Sequence, residues 1–210
     1  MKQIPFFPNP DKTHCYQAAI RMILKYYWPD KDFTWEELDK ITAKKDGLWT
    51  WPLAGIMWLK NQGFDVHAAN NFDYQRFIKV GADYLIEHSG EEVGKEQTAH
   101  SDIDQERQYA KEAVKNQIFE CRTPEITDLK HLLDQGYLVI CNINSRTLNN
   151  KPGYVGHFVL VTSYNQDVLT LHDPGPEPRQ NRKVDFAAFE RAWAYPDQKN
   201  KDYIAVRKNT

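Results

Sequence analysis

Cys15, His157 and Asp173 are three side chains whose types and surroundings can assemble a nucleophilic site. Cys15 stands where a proline-rich segment gives way to a helical pattern, Cys15-Tyr16-Gln17-Ala18-Ala19-Ile20-Arg21-Met22-Ile23-Leu24. A thiol in a first helical turn faces the positive end of the helix dipole and unpaired backbone N–H groups, which favour thiolate over thiol. Alone, such a cysteine reads as a small buried hydrophobe, and only a partner base changes that reading. His157 opens a β-rich run directly after Gly153-Tyr154-Val155-Gly156, and Asp173 closes the next run ahead of Pro174-Gly175. In an antiparallel pair the start of one strand lies beside the end of the next, so imidazole and carboxylate can meet at one sheet edge. The carboxylate would hold the tautomer and stabilise the imidazolium, leaving the other ring nitrogen for the thiol.

Each piece also has an ordinary use: any of the seven histidines can end a strand, and Asp-Pro-Gly is a common turn. Their coincidence in one consistent geometry favours the chemical use. The same residues could compete as a zinc site built from His14, Cys15, His157, His172 and Asp173. That reading is weaker, because His14 and Cys15 are adjacent, as are His172 and Asp173, and strand neighbours point to opposite faces. No metal and no cofactor is expected.

The elements that must position these groups follow from periodicity. Met1 to Lys12 reads as an extended arm, since Pro5, Pro8 and Pro10 fix their own φ and bias their predecessors away from the helix. A helix over Cys15–Tyr27 follows, with Ala18, Ala19, Met22, Ile23 and Tyr26 on the face of the thiol. Thr34-Trp35-Glu36-Glu37 has capping-box spacing for a short second helix. A third starts after Pro52 and ends at Gly63, ahead of a short strand over Phe64–Ala68. Trp49 and Trp51 could wall a cleft, although with Trp58 they read first as core aromatics of the helical half. Helices are expected over Asp73–His88, Asp104–Glu120 and Thr123–Gln135, with a polar stretch over Gly90–Asp104. The alternating charges of that region suggest a solvated face or lid. From Gly136 the pattern turns to strands over Tyr137–Ile143, His157–Tyr164 and Val168–His172, then a helix over Asp185–Trp193 and a last strand over Tyr203–Arg207. Helices first and sheet second give α+β, a helical N-terminal half packed on a C-terminal antiparallel sheet. A single domain over 1–210 is expected, with 1–135 mainly helical, a helical insertion at about 73–120, and 136–210 mainly β.

Composition narrows the partners. Lys and Arg total 27 against 29 Asp and Glu, with no basic run to act as a phosphate footprint, so nucleic acid is not an expected partner. Six Trp, eleven Tyr and ten Phe belong to a packed protein. The three cysteines, Cys15, Cys121 and Cys141, are too scattered for a disulfide framework or a dithiol motif. The prolines of the arm interrupt any signal-peptide core, and no run reaches the length of a membrane span. These features predict a soluble cytoplasmic protein without membrane association; they leave oligomeric state open.

The motifs resemble those of papain-like cysteine peptidases, and more closely the branch similar to the bacteriocin-processing, double-glycine-leader peptidase domain. The matching stretches are His14 to Tyr27, Leu48-Trp49-Thr50-Trp51-Pro52 through Asn61-Gln62-Gly63-Phe64-Asp65-Val66, Gly156-His157-Phe158-Val159-Leu160-Val161, and His172-Asp173-Pro174-Gly175. The resemblance implies a papain-like fold with nucleophile Cys15, general base His157 and orienting acid Asp173 between two halves, in a bacterial setting. It also implies an oxyanion donor six residues before the nucleophile. That family position is a Gln, and here it is Asn9, one methylene shorter. The family's small residue after the cysteine is here Tyr16.

The function expected is therefore a cysteine peptidase or amidase, cleaving a peptide or amide bond through a thioester acyl-enzyme. An acyltransferase using the same triad and a non-catalytic peptide-binding module are the alternatives. No residue is assigned to substrate binding by the sequence.

Overall fold

The computed structural model describes residues 3–208, so Met1 and Lys2 of the expected arm lie outside the described residues. In chain order the elements are α1 (Cys15–Tyr27), α2 (Trp35–Thr42), α3 (Leu53–Asn61), β1 (Phe64–Asn70), α4 (Tyr74–Val80), α5 (Ala82–Ala99), α6 (Ile103–Lys115), β2 (Phe119–Cys121), α7 (Ile126–Asp134), β3 (Leu138–Asn144), α8 (Ser145–Leu148), β4 (Gly156–Tyr164), β5 (Val168–Asp173), β6 (Arg179–Asp185), α9 (Phe186–Trp193) and β7 (Asp202–Lys208).

The strands form one seven-stranded sheet in the order β2-β1-β7-β3-β4-β5-β6. All neighbours pair antiparallel except β1 and β2, which run parallel. The expected mix of helices and a mainly antiparallel sheet is present, with two features that the sequence did not show. The halves are not cleanly segregated, because β1 and β2 come from the helical half and β1 is joined to the sheet by the C-terminal strand β7. The sheet also carries helices on both faces. One face packs Val66, Leu138, Ile140, Leu160 and Ile204 against α1 and α3. The other packs Val139, Val159, Val161, Leu171 and Ala205 against α7 and α9. Burial on both faces explains why the central strands read as unbroken apolar runs rather than alternating ones.

Helix α1 begins at Cys15 as expected, yet Tyr16, Gln17 and Ile20 are as buried as the face of the thiol. It is a central helix, and its Arg21 guanidinium lies over the rings of Phe7 and Trp35 instead of facing open water. The Thr34–Glu37 capping box is formed in full.

The Asp73–His88 helix is broken at Gly81, whose φ of +64° ends α4 and starts α5. The polar Gly90–Asp104 stretch is mostly helical, as the continuation of α5 beyond a kink at Gly90. Helix α6 stops at Lys115 rather than Glu120, because Phe119–Cys121 pairs with Ala68–Asn70 as an added edge strand. Strand β6 and helix α8 were not expected at all. None of the helices over the described residues is long and apolar enough to cross a membrane.

Candidate active site

Cys15 is the first residue of α1, and its neighbour Tyr16 packs on Phe158 of β4 with ring centroids 4.9 Å apart. That contact sets the helix start against the start of the strand carrying His157. The thiol is half-buried, and the His157 imidazole and the backbone of Phe158 and Tyr16 favour its thiolate form. Burial pushes the thiol's pKa up, but the imidazole and the backbone donors outweigh it and hold the thiol below its ordinary value.

His157 and Asp173 meet as the hairpin argument requires. Leu160 pairs with His172 across β4 and β5, so Asp173 lies one step further toward the start of β4. His157 Nε2 is 2.8 Å from Asp173 Oδ1, and both residues are buried, 5% and 4% exposed. With Nε2 engaged by the carboxylate, Nδ1 is the ring nitrogen left for the thiol. Burial alone would disfavour the imidazolium; Asp173 and the thiol reverse this and raise the His157 pKa well above the ordinary range. Burial likewise acts against the Asp173 carboxylate, which its hydrogen bonds nevertheless hold down at about 2. The imidazole and carboxylate thus form a hydrogen-bonded pair whose charge favours the thiolate of Cys15.

One member of this cluster has no counterpart in the sequence reading. Arg182 Nη1 donates to Asp173 Oδ2 at 2.7 Å, while its Nη2 donates to the Leu148 carbonyl and to Asn149 Oδ1. The Gly175 N–H adds a third bond to Asp173 at 3.1 Å. Arg182 lies on the unexpected strand β6, and with no strand there nothing in the sequence tied its charge to Asp173.

Asn9 is brought to the same place by the arm. Its Oδ1 accepts from the N–H groups of Asp11 and His14, the latter directly preceding Cys15. Its Nδ2 is buried and has no hydrogen-bond partner, an unspent donor at the mouth of α1. Gln17 cannot take that role, since its Nε2 donates to Thr42 and Thr50 in the core.

The histidines of the alternative zinc set are committed elsewhere. His14 sits between Asp11 and Asp39, and His172 bonds the Ile4 carbonyl and the Asn181 N–H. No group of three or more His, Cys, Asp or Glu side chains placed to hold a metal occurs among the described residues.

A pocket of about 160 Å³ opens beside Cys15. Trp49 and Trp51 line it while also packing on His100 and Phe77, so they serve as wall and core together. The cavity, and the part of α5 that covers it, were not legible as substrate-binding features.

The fold and the sequence have relatives among known proteins. The model of the family described as "Peptidase_C39 like family" matches residues 1–200. Among solved structures, the chain is similar to the peptidase domain of Streptococcus ComA, a bifunctional ABC transporter of a quorum-sensing pathway. That match has a TM-score of 0.56 at 13% identity, over 99% of this chain and 100% of that one. A C39-like peptidase from Bacillus anthracis aligns with a TM-score of 0.53 at 14% identity, over 99% and 96% of the two chains. No curated protein sequence matches significantly.

Proposed function

This chain belongs to the Peptidase_C39 like family, and from that premise we propose that it is a cysteine hydrolase of peptide or amide bonds, working as one domain with Cys15 as nucleophile. The observation that carries the reading is the buried His157–Asp173 pair, hydrogen-bonded at 2.8 Å, which holds the Cys15 thiol below its ordinary pKa beside an open pocket. Cys15 Sγ attacks the carbonyl carbon, and the electron pair of the C=O bond moves to oxygen. The Asn9 Nδ2–H and the Cys15 backbone N–H stabilise that oxyanion. Collapse breaks the C–N bond, and the His157 imidazolium gives its proton to the departing amine, leaving a thioester. Water then loses a proton to His157 as it attacks the thioester, releasing the acid and restoring the thiol.

Asp173 holds the imidazole tautomer throughout, and Arg182 fixes Asp173. Both ends of the chain support the reading of a single domain, since Asn9 precedes α1 and the strand β7 binds β1 to β3. The test is an electrophilic peptide probe followed by mass mapping. Labelling confined to Cys15, lost in Cys15→Ala and strongly reduced in His157→Ala, is the expected result; indiscriminate thiol labelling would refute the assignment.

A further inference from the structure

Resting on the hydrolase reading, we propose that the pocket beside Cys15 is a subsite for a cationic substrate side chain, lysine-like or arginine-like, with Asp202 as its counter-charge. The site arises where the sheet opens. Strands β3 and β7 pair from Leu138↔Val206 to Ile140↔Ile204, and beyond that the ladder stops. There the Asn142 N–H, which a continued ladder would use, donates instead to Asp202 Oδ1 at 2.8 Å. Asp202 Oδ2 takes no hydrogen bond among the described residues, and the side chain lines the pocket together with Cys15.

The distance suits a long side chain. Asn142 Oδ1 accepts the His157 backbone N–H at 3.1 Å, so Asp202 lies two strands across from the backbone of His157. At the usual interstrand spacing this is about 10 Å, a gap suited to a four-carbon stem or a guanidinium reaching from a scissile carbonyl at Cys15.

The walls favour the same occupant. Trp49, Phe72, Tyr74, Tyr154 and Trp193 border the cavity, and aromatic faces attract ammonium and guanidinium groups. Asp202 is the only carboxylate among the lining residues. Of the lining cations, Lys12 is exposed and the Lys199 ammonium lies 3.4 Å from Asp197. Burial lowers the pKa of His88, keeping it neutral, and raises that of Asp202 to about 7. A bound cation would return that carboxyl to its ionised form. Val93 and Gln97 of α5 cover the pocket, and Gln97 Nε2 donates to Tyr154 at 2.8 Å, which gives the helical insertion a part in substrate choice.

The test measures alkylation of Cys15 by peptidyl chloromethyl ketones carrying lysine, arginine, norleucine or glutamate at either of the two residues before the ketone. Lysine or arginine should react at least about tenfold faster than norleucine, with glutamate slowest, and Asp202→Asn should bring the lysine-to-norleucine ratio close to one. Equal rates for lysine and norleucine, a preference for glutamate, or a lysine preference that survives Asp202→Asn would overturn the subsite. Iodoacetamide separates the two claims: if it does not single out Cys15, the hydrolase reading fails and this one with it. Should Asp202→Asn not fold, the unaltered protein still decides. Butylamine should slow iodoacetamide labelling of Cys15 where butanol does not, and equal protection would overturn the proposal.

Discussion

The Asn9 N–H donates to the Pro174 carbonyl at 2.8 Å, tying the arm before Cys15 to the residue that follows Asp173. The His172 imidazole adds a second tie to the Ile4 carbonyl, and Phe6 packs edge-on against the same ring. The segment carrying the carboxamide is therefore positioned by the strand that carries the acid, and the unpartnered Nδ2 is held in place before any substrate arrives.

The first prediction concerns that amide. Asn9→Ala should lower kcat by roughly 10²-fold, the usual cost of losing an oxyanion donor, while iodoacetamide labelling of Cys15 persists. Steady-state kinetics beside thiol labelling checks it. An equal loss of both would mean that the arm supports the fold rather than the oxyanion.

Thiol reactivity gives a second prediction. Because His157 and the backbone donors hold the Cys15 thiol below its ordinary pKa, iodoacetamide at pH 6 should modify Cys15 before the exposed Cys121. Cys141 is buried and its pKa is raised, so it should not react in the folded protein. In His157→Ala the midpoint of Cys15 labelling should move to higher pH, since burial then acts on the thiol without the imidazole opposing it. Mass mapping across a pH series measures this.

Arg182 carries the third. Its guanidinium and Asp173 are both largely buried, so Arg182→Gln should destabilise the protein by roughly 3 kcal/mol, the scale for breaking a buried ion pair. The sign with pH follows from Asp173. Its depressed pKa contributes stability above the unfolded carboxyl value, and that contribution fades as pH falls through about 2. Removing Arg182 raises the folded value, so the contribution should fade at a higher pH. Acid unfolding curves and the acidic limb of the rate profile should both move upward, and a variant unchanged in both would remove Arg182 from the positioning of Asp173.

How much could be read beforehand depended on whether local chemistry or tertiary pairing decided the outcome. The start of α1 at Cys15, the Thr34 capping box and the β4–β5 hairpin are local, and the hairpin alone brings His157 to Asp173. Strand β6 reads Arg179-Gln180-Asn181-Arg182-Lys183-Val184-Asp185, without the apolar alternation that marks a strand, because it is an edge whose side chains mostly face water. Its Arg182 was hidden with it. Asp202 was hidden for another reason: a carboxylate at the start of a strand has no signature, and only the splaying of β3 from β7 turns it into the floor of a pocket.

The last prediction concerns Tyr16, the large residue that follows Cys15. It is fully buried, and its hydroxyl donates to the Pro52 carbonyl at 3.1 Å. A Cβ placed on Gly55 would lie 2.6 Å from that hydroxyl oxygen and 2.9 Å from the ring Cε1, so α3 can approach α1 only because residue 55 has no side chain. Gly55→Ala should cost about 1–3 kcal/mol by overpacking, and the displaced ring should carry the start of α1 with it, slowing Cys15 labelling. Tyr16→Phe alone should cost about 1 kcal/mol, since it removes the hydroxyl's bond to the Pro52 carbonyl, which then keeps only the Ile56 N–H. Together the two should cost less than their sum, because Tyr16→Phe removes the nearer of the two clashes while the Cε1 contact remains. Denaturant melts of the single and double variants give the coupling. Strict additivity would show that Tyr16 and Gly55 do not press on one another and that the thiol is positioned independently of α3.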